Sequence, residues 1–263
     1  MSSLILNRRR LLGLGAASAS SLVLAGCEQF DFLGNRSDPV RDVLERANEI
    51  TYRVQRALIG ADSLAPEYAE SEVRQPQRPN GSTNPRTPEY IALANNNFAD
   101  YELRVTGLVE TPRSYNLEQL RNMPAKSQVT RHDCVEGWSC IAKWTGVPLK
   151  AVLDEAKPKP TARFAVFHCF DEMGGGLSAP EPFYGSIDLI DCYHPQTILA
   201  YGLNNQALPV SNGAPLRLRV ERQLGYKSSK YVHTIELVDS FARFGRGQGG
   251  YWEDQGYEWY AGI

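Results

Sequence analysis

Residues 131–140 read Arg-His-Asp-Cys-Val-Glu-Gly-Trp-Ser-Cys, which places two thiols, an imidazole, two carboxylates and a guanidinium in one short run. The thiolate form of cysteine is the nucleophile and the metal ligand, and cationic neighbours keep it deprotonated. Cys134, beside Arg131 and His132, is therefore expected to have a depressed pKa. His168 directly precedes Cys169, and His194 lies two residues beyond Cys192. With Cys27 set aside, four cysteines remain, enough for disulfides in an oxidising compartment. No C-x-x-C pair occurs, so the usual zinc-ligand spacing is missing. Two rival readings use the same residues. One is a zinc- or copper-binding protein without catalysis, holding the metal on His132, Cys134, His168 and Cys169. The other is a thiol–disulfide protein built on Cys134 and Cys140. His194 reads as a structural histidine.

A second cluster spans residues 212–230, where Arg217, Arg219, Arg222, Lys227 and Lys230 face a single acid, Glu221. Asn212-Gly213 forms a turn that lets backbone approach a ligand, and Arg217 is expected on the polar face of the following strand. Lys227-Ser228-Ser229-Lys230 adds ammonium, hydroxyl and backbone N–H donors after Gly225. Phosphate binding needs convergent donors and positive charge together. A solvated basic strand and loop is the plainer alternative.

These groups need elements to hold them. Pro39 suits a first helical turn after an Asp38 cap, with apolar residues at helical spacing to Leu58 and a stop at Gly60. Residues 61–88 carry five prolines and few apolar residues, predicting a linker or a surface arm. Tyr101, Leu103 and Val105 alternate with polar residues, predicting a half-buried strand. Asn116 opens a short capped helix, and Pro148–Ala156 reads as an amphipathic helix stopped before Pro158. Further strands are predicted at Arg163–Phe170, Leu216–Val220 and Thr234–Asp239. The glycine- and aromatic-rich end, Gly245–Ile263, reads as an irregular tail held by aromatic burial. Short strands with few helices make the fold class α+β with mixed β-sheets and short helices. The expected organisation is a signal at 1–27, an N-terminal helix and Pro-rich arm at 28–86, and one large domain at 87–263.

The 263 residues can bury a substantial core, and 28 basic against 30 acidic residues leave no global field for nucleic acid. Residues 8–26, three arginines before an Ala/Ser/Gly-rich apolar run, form a secretory signal too small-residued for a comfortable membrane span. The run Asn7–Leu12 resembles a twin-arginine signal, which exports proteins already folded. Leu24-Ala25-Gly26-Cys27 resembles a lipobox, implying a periplasmic protein lipid-anchored through Cys27.

Taken together, the segments from about Asn95 to Val238 resemble the sulfite oxidase family, whose domain binds one molybdenum–molybdopterin per chain. Arg131–Ser139 is similar to the family's molybdenum-ligating cysteine motif. Its Cys-Val-Glu-x-Trp-Ser form is similar to the bacterial periplasmic methionine-sulfoxide reductase branch. The resemblance implies that Cys134 is the metal ligand and that Tyr184, in Tyr184-Gly185-Ser186-Ile187, is the active-site tyrosine. It implies pterin contacts at Asn96, Arg131, His132, Cys169, Asn212, Arg217, Ser228, Ser229 and Lys230. Oxygen-atom transfer on a small sulfur- or nitrogen-containing substrate follows, with S-oxide reduction favoured over sulfite dehydrogenase-type oxidation. The Gly-Asn-Arg-Arg type run that binds sulfite is missing after the cysteine. No C-x-x-C-H haem site occurs, so electrons are expected to come from a separate partner, a haem protein or a quinone-linked membrane subunit.

Overall fold

In the computed structural model, which describes residues 39–60, 62–174 and 179–263, strands outnumber helices and fall into two sheets. The arginine run, the Leu24–Cys27 motif and Asp38 lie outside the described residues. The chain divides into two compact units, Met1–Ala57 and Leu58–Ile263. Helix α1 runs from Pro39 to Leu58. Among the described residues no helix is long and apolar enough to cross a membrane.

The first sheet grows from β1 (Glu102–Gly107), where the alternation seen in the sequence sends Leu103 and Val105 into the core. β1 pairs antiparallel with β2 (Arg113–Asn116) and parallel with β10 (Val232–Val238). β5 (Phe164–Met173) and β6 (Glu181–Asp188) complete the order β2-β1-β10-β5-β6. Gly107 lets β1 and β10 lie this close, because a side chain there would lie 2.2 Å from the Leu237 carbonyl oxygen. Helix α2 (Pro88–Asn95) precedes β1 and helix α3 (Leu117–Asn122) follows β2. The α3 cap is the expected one, with the Asn116 side chain accepting from Gln119 N and the Gln119 side chain accepting from Asn116 N.

The second sheet is the hairpin β3 (Lys126–Cys134) and β4 (Trp138–Pro148), continued by β7 (Ile198–Leu203) and β8 (Gln206–Ala207). β9 (Arg217–Arg219) pairs on the other side of β7. Helix α4 (Leu149–Ala156) presents Leu149, Val152, Leu153 and Ala156, an i, i+3, i+4, i+7 stripe, to the core. Each fully buried Leu or Val there contributes roughly 1.5–3 kcal/mol. The main core also takes side chains from β1, β5 and β10, while Trp144 anchors a smaller cluster with Ala200 and Ala214. Short helices α5 (Leu189–Cys192) and α6 (Tyr251–Asp254) complete the unit.

The strand at 216–220 departs from expectation. Arg217 and Arg219 do not face water; each is 1% exposed. Their guanidinium groups lie 4.9 and 4.5 Å from the Trp144 ring centroid. Alternation marks two faces of a strand, and here both are covered. The arm joins the fold as well: Ala65 exchanges hydrogen bonds with the Gln196 side chain, Tyr68 N donates to Val129 O, and Arg74 N to Ile141 O. At the other end, Trp259 stacks on Phe241 and meets Phe164 edge-on, as expected of an aromatic-held tail.

Candidate functional site

The side-chain period of two along β3 places Thr130, His132 and Cys134 on one face and Arg131 and Asp133 on the other. Cys134, at the end of the strand, carries a free, half-buried thiol. It lines an open cleft together with Gly81, Ser82, Glu136, Asp171, Gly225, Ser228, Ser229 and Lys230. Met173, Phe183, Tyr226 and Trp252 supply apolar and aromatic wall.

Cys134 does not have the depressed pKa expected of it. Burial pushes the thiol up, while the Glu136 and Val135 backbone N–H groups and the Arg78 charge oppose the rise. Arg131 cannot help, since it projects from the opposite face, half exposed, and pairs with Asp133 at 2.8 Å. His132 shares the strand face of Cys134 but is buried and stays neutral, because burial and the charges of Arg219, Arg217 and Lys230 hold its pKa far below the usual imidazole value.

A buried polar chain surrounds His132. Arg219 Nη1 lies 2.6 Å from His132 Nδ1, and Arg219 also meets both Glu221 carboxylate oxygens at 3.1 and 2.6 Å. Gln128 Nε2 donates to Glu221 at 2.9 Å and to Gln196 O at 2.9 Å. The imidazole Nε2 is buried and has no hydrogen-bond partner among the described residues.

The basic segment supplies the opposite wall. Arg217 donates to Asn212 O at 2.9 Å and Ser228 O at 3.2 Å, which ties the Asn212 turn to the Lys227–Lys230 run. Lys230 Nζ donates to Ser82 O and, at 3.1 Å, to Ser211 O. Burial brings the Lys230 ammonium down to about 7, with Arg217 adding to the fall, and brings Arg217 down to about 9. Asn212 Nδ2, Arg217 Nε and Ser229 Oγ are buried without partners among the described residues. Buried donors are normally satisfied, so three orphans beside two cations suit an anionic, acceptor-rich ligand. A pterin phosphate has that chemistry.

The remaining expected residues stand elsewhere. Asn96 ends α2 and spends its amide on Asp100 and Ala99 N. Cys169 is buried in the main core, with its thiol pushed up by burial. Tyr184 follows Phe183 on β6 and so points away from the cleft wall that Phe183 forms; its hydroxyl lies 2.7 Å from Asp254 Oδ2. The position fits a packed tyrosine. All four described cysteines are free thiols, and Cys134 opposes Trp138 in the hairpin, not Cys140. Among the described residues no group of three or more His, Cys, Asp or Glu side chains could hold a metal, which leaves the zinc or copper alternative without a site.

Sequence reasoning missed four residues of the cleft. Gly81 and Ser82 come from the Pro-rich arm, and Ser82 is held by Tyr231 at 3.0 Å and donates to Asp171 at 2.5 Å. Asp171 lies just past the Cys169 strand positions, with a carboxyl that burial raises to about 6. Glu136 sits inside the recognised motif and accepts from Trp138 Nε1 at 2.8 Å. Only Glu136 had a sequence signal, its place in the motif; the others need the fold to bring them near.

Residues 90–243 match the family described as the oxidoreductase molybdopterin binding domain. A protein of Azospira oryzae, provisionally named a protein-methionine-sulfoxide reductase subunit, is 34% identical over 97% of this chain and 86% of its own length. The protein-methionine-sulfoxide reductase catalytic subunit of Ralstonia nicotianae is 34% identical over 53% of this chain and 44% of its own length. This chain therefore spans less than half of that second relative. Among solved structures, the sulfane dehydrogenase SoxCD of Paracoccus pantotrophus aligns with a TM-score of 0.47 and 24% identity, covering 54% of this chain and 39% of that one.

Proposed function

Because the chain belongs to the oxidoreductase molybdopterin binding domain family and is a molybdenum-cofactor oxidoreductase, we propose that it reduces S-oxides with Cys134 as its metal ligand. The observation that carries this reading is the shared cleft: the one partly accessible described thiol lines the same cleft as Ser228, Ser229 and Lys230. A soft thiolate suits a metal that changes oxidation state, and coordination removes the proton that burial otherwise retains. When bound, the molybdenum pterin supplies the two-electron oxygen-atom exchange.

The chain's own residues then have separable tasks. Asn212, Arg217, Ser228, Ser229 and Lys230 bind the pterin's anionic end through the donors they leave free or can reorient. Met173, Phe183 and Trp252 offer apolar contact to the alkyl groups flanking a sulfoxide. Reducing an S-oxide consumes two electrons and two protons and releases a thioether and water. Asp171, with its carboxyl raised to about 6, is the cleft acid able to hold a proton near neutral pH. The electrons come from a separate partner, a haem protein or a quinone-linked membrane subunit. That both relatives are named as subunits agrees with such an arrangement. The twin-arginine and lipobox motifs support export of the loaded, folded protein and a lipid anchor at the periplasmic face.

Metal analysis and pterin extraction test this reading. Protein matured in a host that makes the cofactor should hold about one molybdenum and one pterin per chain. Cys134→Ser should fold, as circular dichroism and unchanged thermal unfolding would show, yet lose at least ~99% of methionine-sulfoxide reduction. Full activity in that variant, or wild-type protein free of molybdenum, overturns it. Turnover of sulfite but not of sulfoxides would select the oxidative alternative.

A further inference from the structure

Helix α1 carries Ile50, Val54 and Leu58 at i, i+4 and i+8, one above another on a single face. They are 62, 49 and 81% exposed, and Ala47 and Ala57 beside them are exposed as well. Single exposed apolar side chains, such as Ile91 on α2 and Ile190 on α5, are ordinary on a protein surface. A row of them along one helix marks contact with another surface.

Charge and position along the chain say which surface. Residues 50–60 include two arginines, Arg53 and Arg56, and no acid. In the helical period, positions 46 and 53 border the stripe and both are arginine, while the acids at positions 42, 45 and 49 lie further round the helix. An apolar stripe edged by guanidinium groups suits a helix lying in the headgroup region of an anionic bilayer. It suits self-pairing less well. In a parallel pair of copies Arg46 and Arg53 would oppose Thr51 and Leu58, which offer no countercharge. Spanning is a different matter, since no helix among the described residues is long and apolar enough to cross a membrane. Residues 28–38 join the helix to Cys27, a reach of at most about 40 Å, so a lipid at Cys27 would hold α1 beside a bilayer.

We propose that α1 lies on an anionic lipid surface, with Ile50, Val54 and Leu58 turned into the acyl boundary and Arg53 at the headgroup phosphates. The contact is reversible and released by salt, so retention in a washed membrane fraction still depends on Cys27. It needs no cofactor and stands apart from the molybdopterin reading.

The test uses residues 28–263, matured in a host that makes the cofactor and carrying no lipid, so that neither the signal nor the anchor contributes. Co-sedimentation with vesicles of phosphatidylglycerol and phosphatidylcholine in equal parts reads the binding. Ile50→Gln, Val54→Gln and Leu58→Gln combined, all at exposed positions and to a good helix former, should weaken it at least about tenfold. Arg46→Gln with Arg53→Gln should weaken it about tenfold, as should pure phosphatidylcholine vesicles or about 0.5 M salt. Wild-type binding that the triple variant retains overturns the proposal, and so does wild type that ignores the anionic vesicles or binds neutral ones equally. A wild-type dimer that the triple variant breaks, seen by light scattering without vesicle binding, would give the stripe to a second copy and also overturn it. Should circular dichroism show the triple variant to have lost its helix, the arginine pair decides: unchanged binding rejects the proposal.

Discussion

Lys230 carries its ammonium into a nearly dry wall, where burial and Arg217 bring its pKa down to about 7 from the usual 10.5. The sign of the consequence follows directly. Below about pH 7 the side chain is charged and draws an anion; above it the charge is lost. Sulfate keeps its own charge across this range, so its affinity for the cofactor-free chain should fall about tenfold between about pH 6 and about pH 8. Isothermal titration measures this, and Lys230→Met should show weak binding at every pH. A flat profile in the wild type would contradict the assignment of Lys230 to the anion wall. Residue identities at 131–134 were readable in the sequence, but which neighbour acts on Cys134 was not. Arg131 is adjacent in the chain yet on the other strand face, while Arg219, 87 residues from His132, is in contact with it.

At the scale of elements, the β3–β4 hairpin delivers Cys134 to the cleft, and its seat against β7 determines where that thiol stands. β4 and β7 change register between Thr145 and Gly146. A Cβ at Gly146 would lie 2.2 Å from Leu199 O and 2.6 Å from Ala200 Cα, with backbone on both counts and no flexible side chain to yield. Gly146→Ala should therefore destabilise the fold by about 1–3 kcal/mol. Denaturant unfolding checks this, and a midpoint equal to wild type would show that the strands can separate without cost. The helix over Leu149–Ala156 was legible because one apolar stripe faces one core. The strand at Arg217–Arg219 was legible as a strand but not as buried, since alternation is silent about what covers its polar face. The arm from 61 to 88 read as proline-rich and apolar-poor. Its docking uses backbone groups, as in Tyr68 N to Val129 O, and these leave no mark on side-chain composition.

For the whole molecule, the two sheets meet at a cleft whose lining comes from the arm, the β3–β4 turn, β5, β6, the 225–230 segment and the tail. Contributions spread so widely along the chain mean that the cleft is complete only once the unit has folded. The lipobox reading adds an expectation for the intact protein: Cys27→Ser should move it from the membrane fraction to the soluble periplasmic fraction, measured by cell fractionation and immunoblot. Retention in the membrane by that variant would remove the lipid anchor from the account.

By itself the sequence determined the fold class, the family and the two clusters that meet at the cleft, because residue type and local spacing are properties of the chain alone. Periodicity located four of the ten described strands, β1, β5, β9 and β10, and two helices for the same reason. Only the tertiary structure decided that Arg131 turns away, that Tyr184 packs against Asp254, and that His132 is buried against Arg219. Those outcomes depend on which face of a strand is covered and by what. That is a matter of contacts between segments far apart in the chain, which local pattern does not encode.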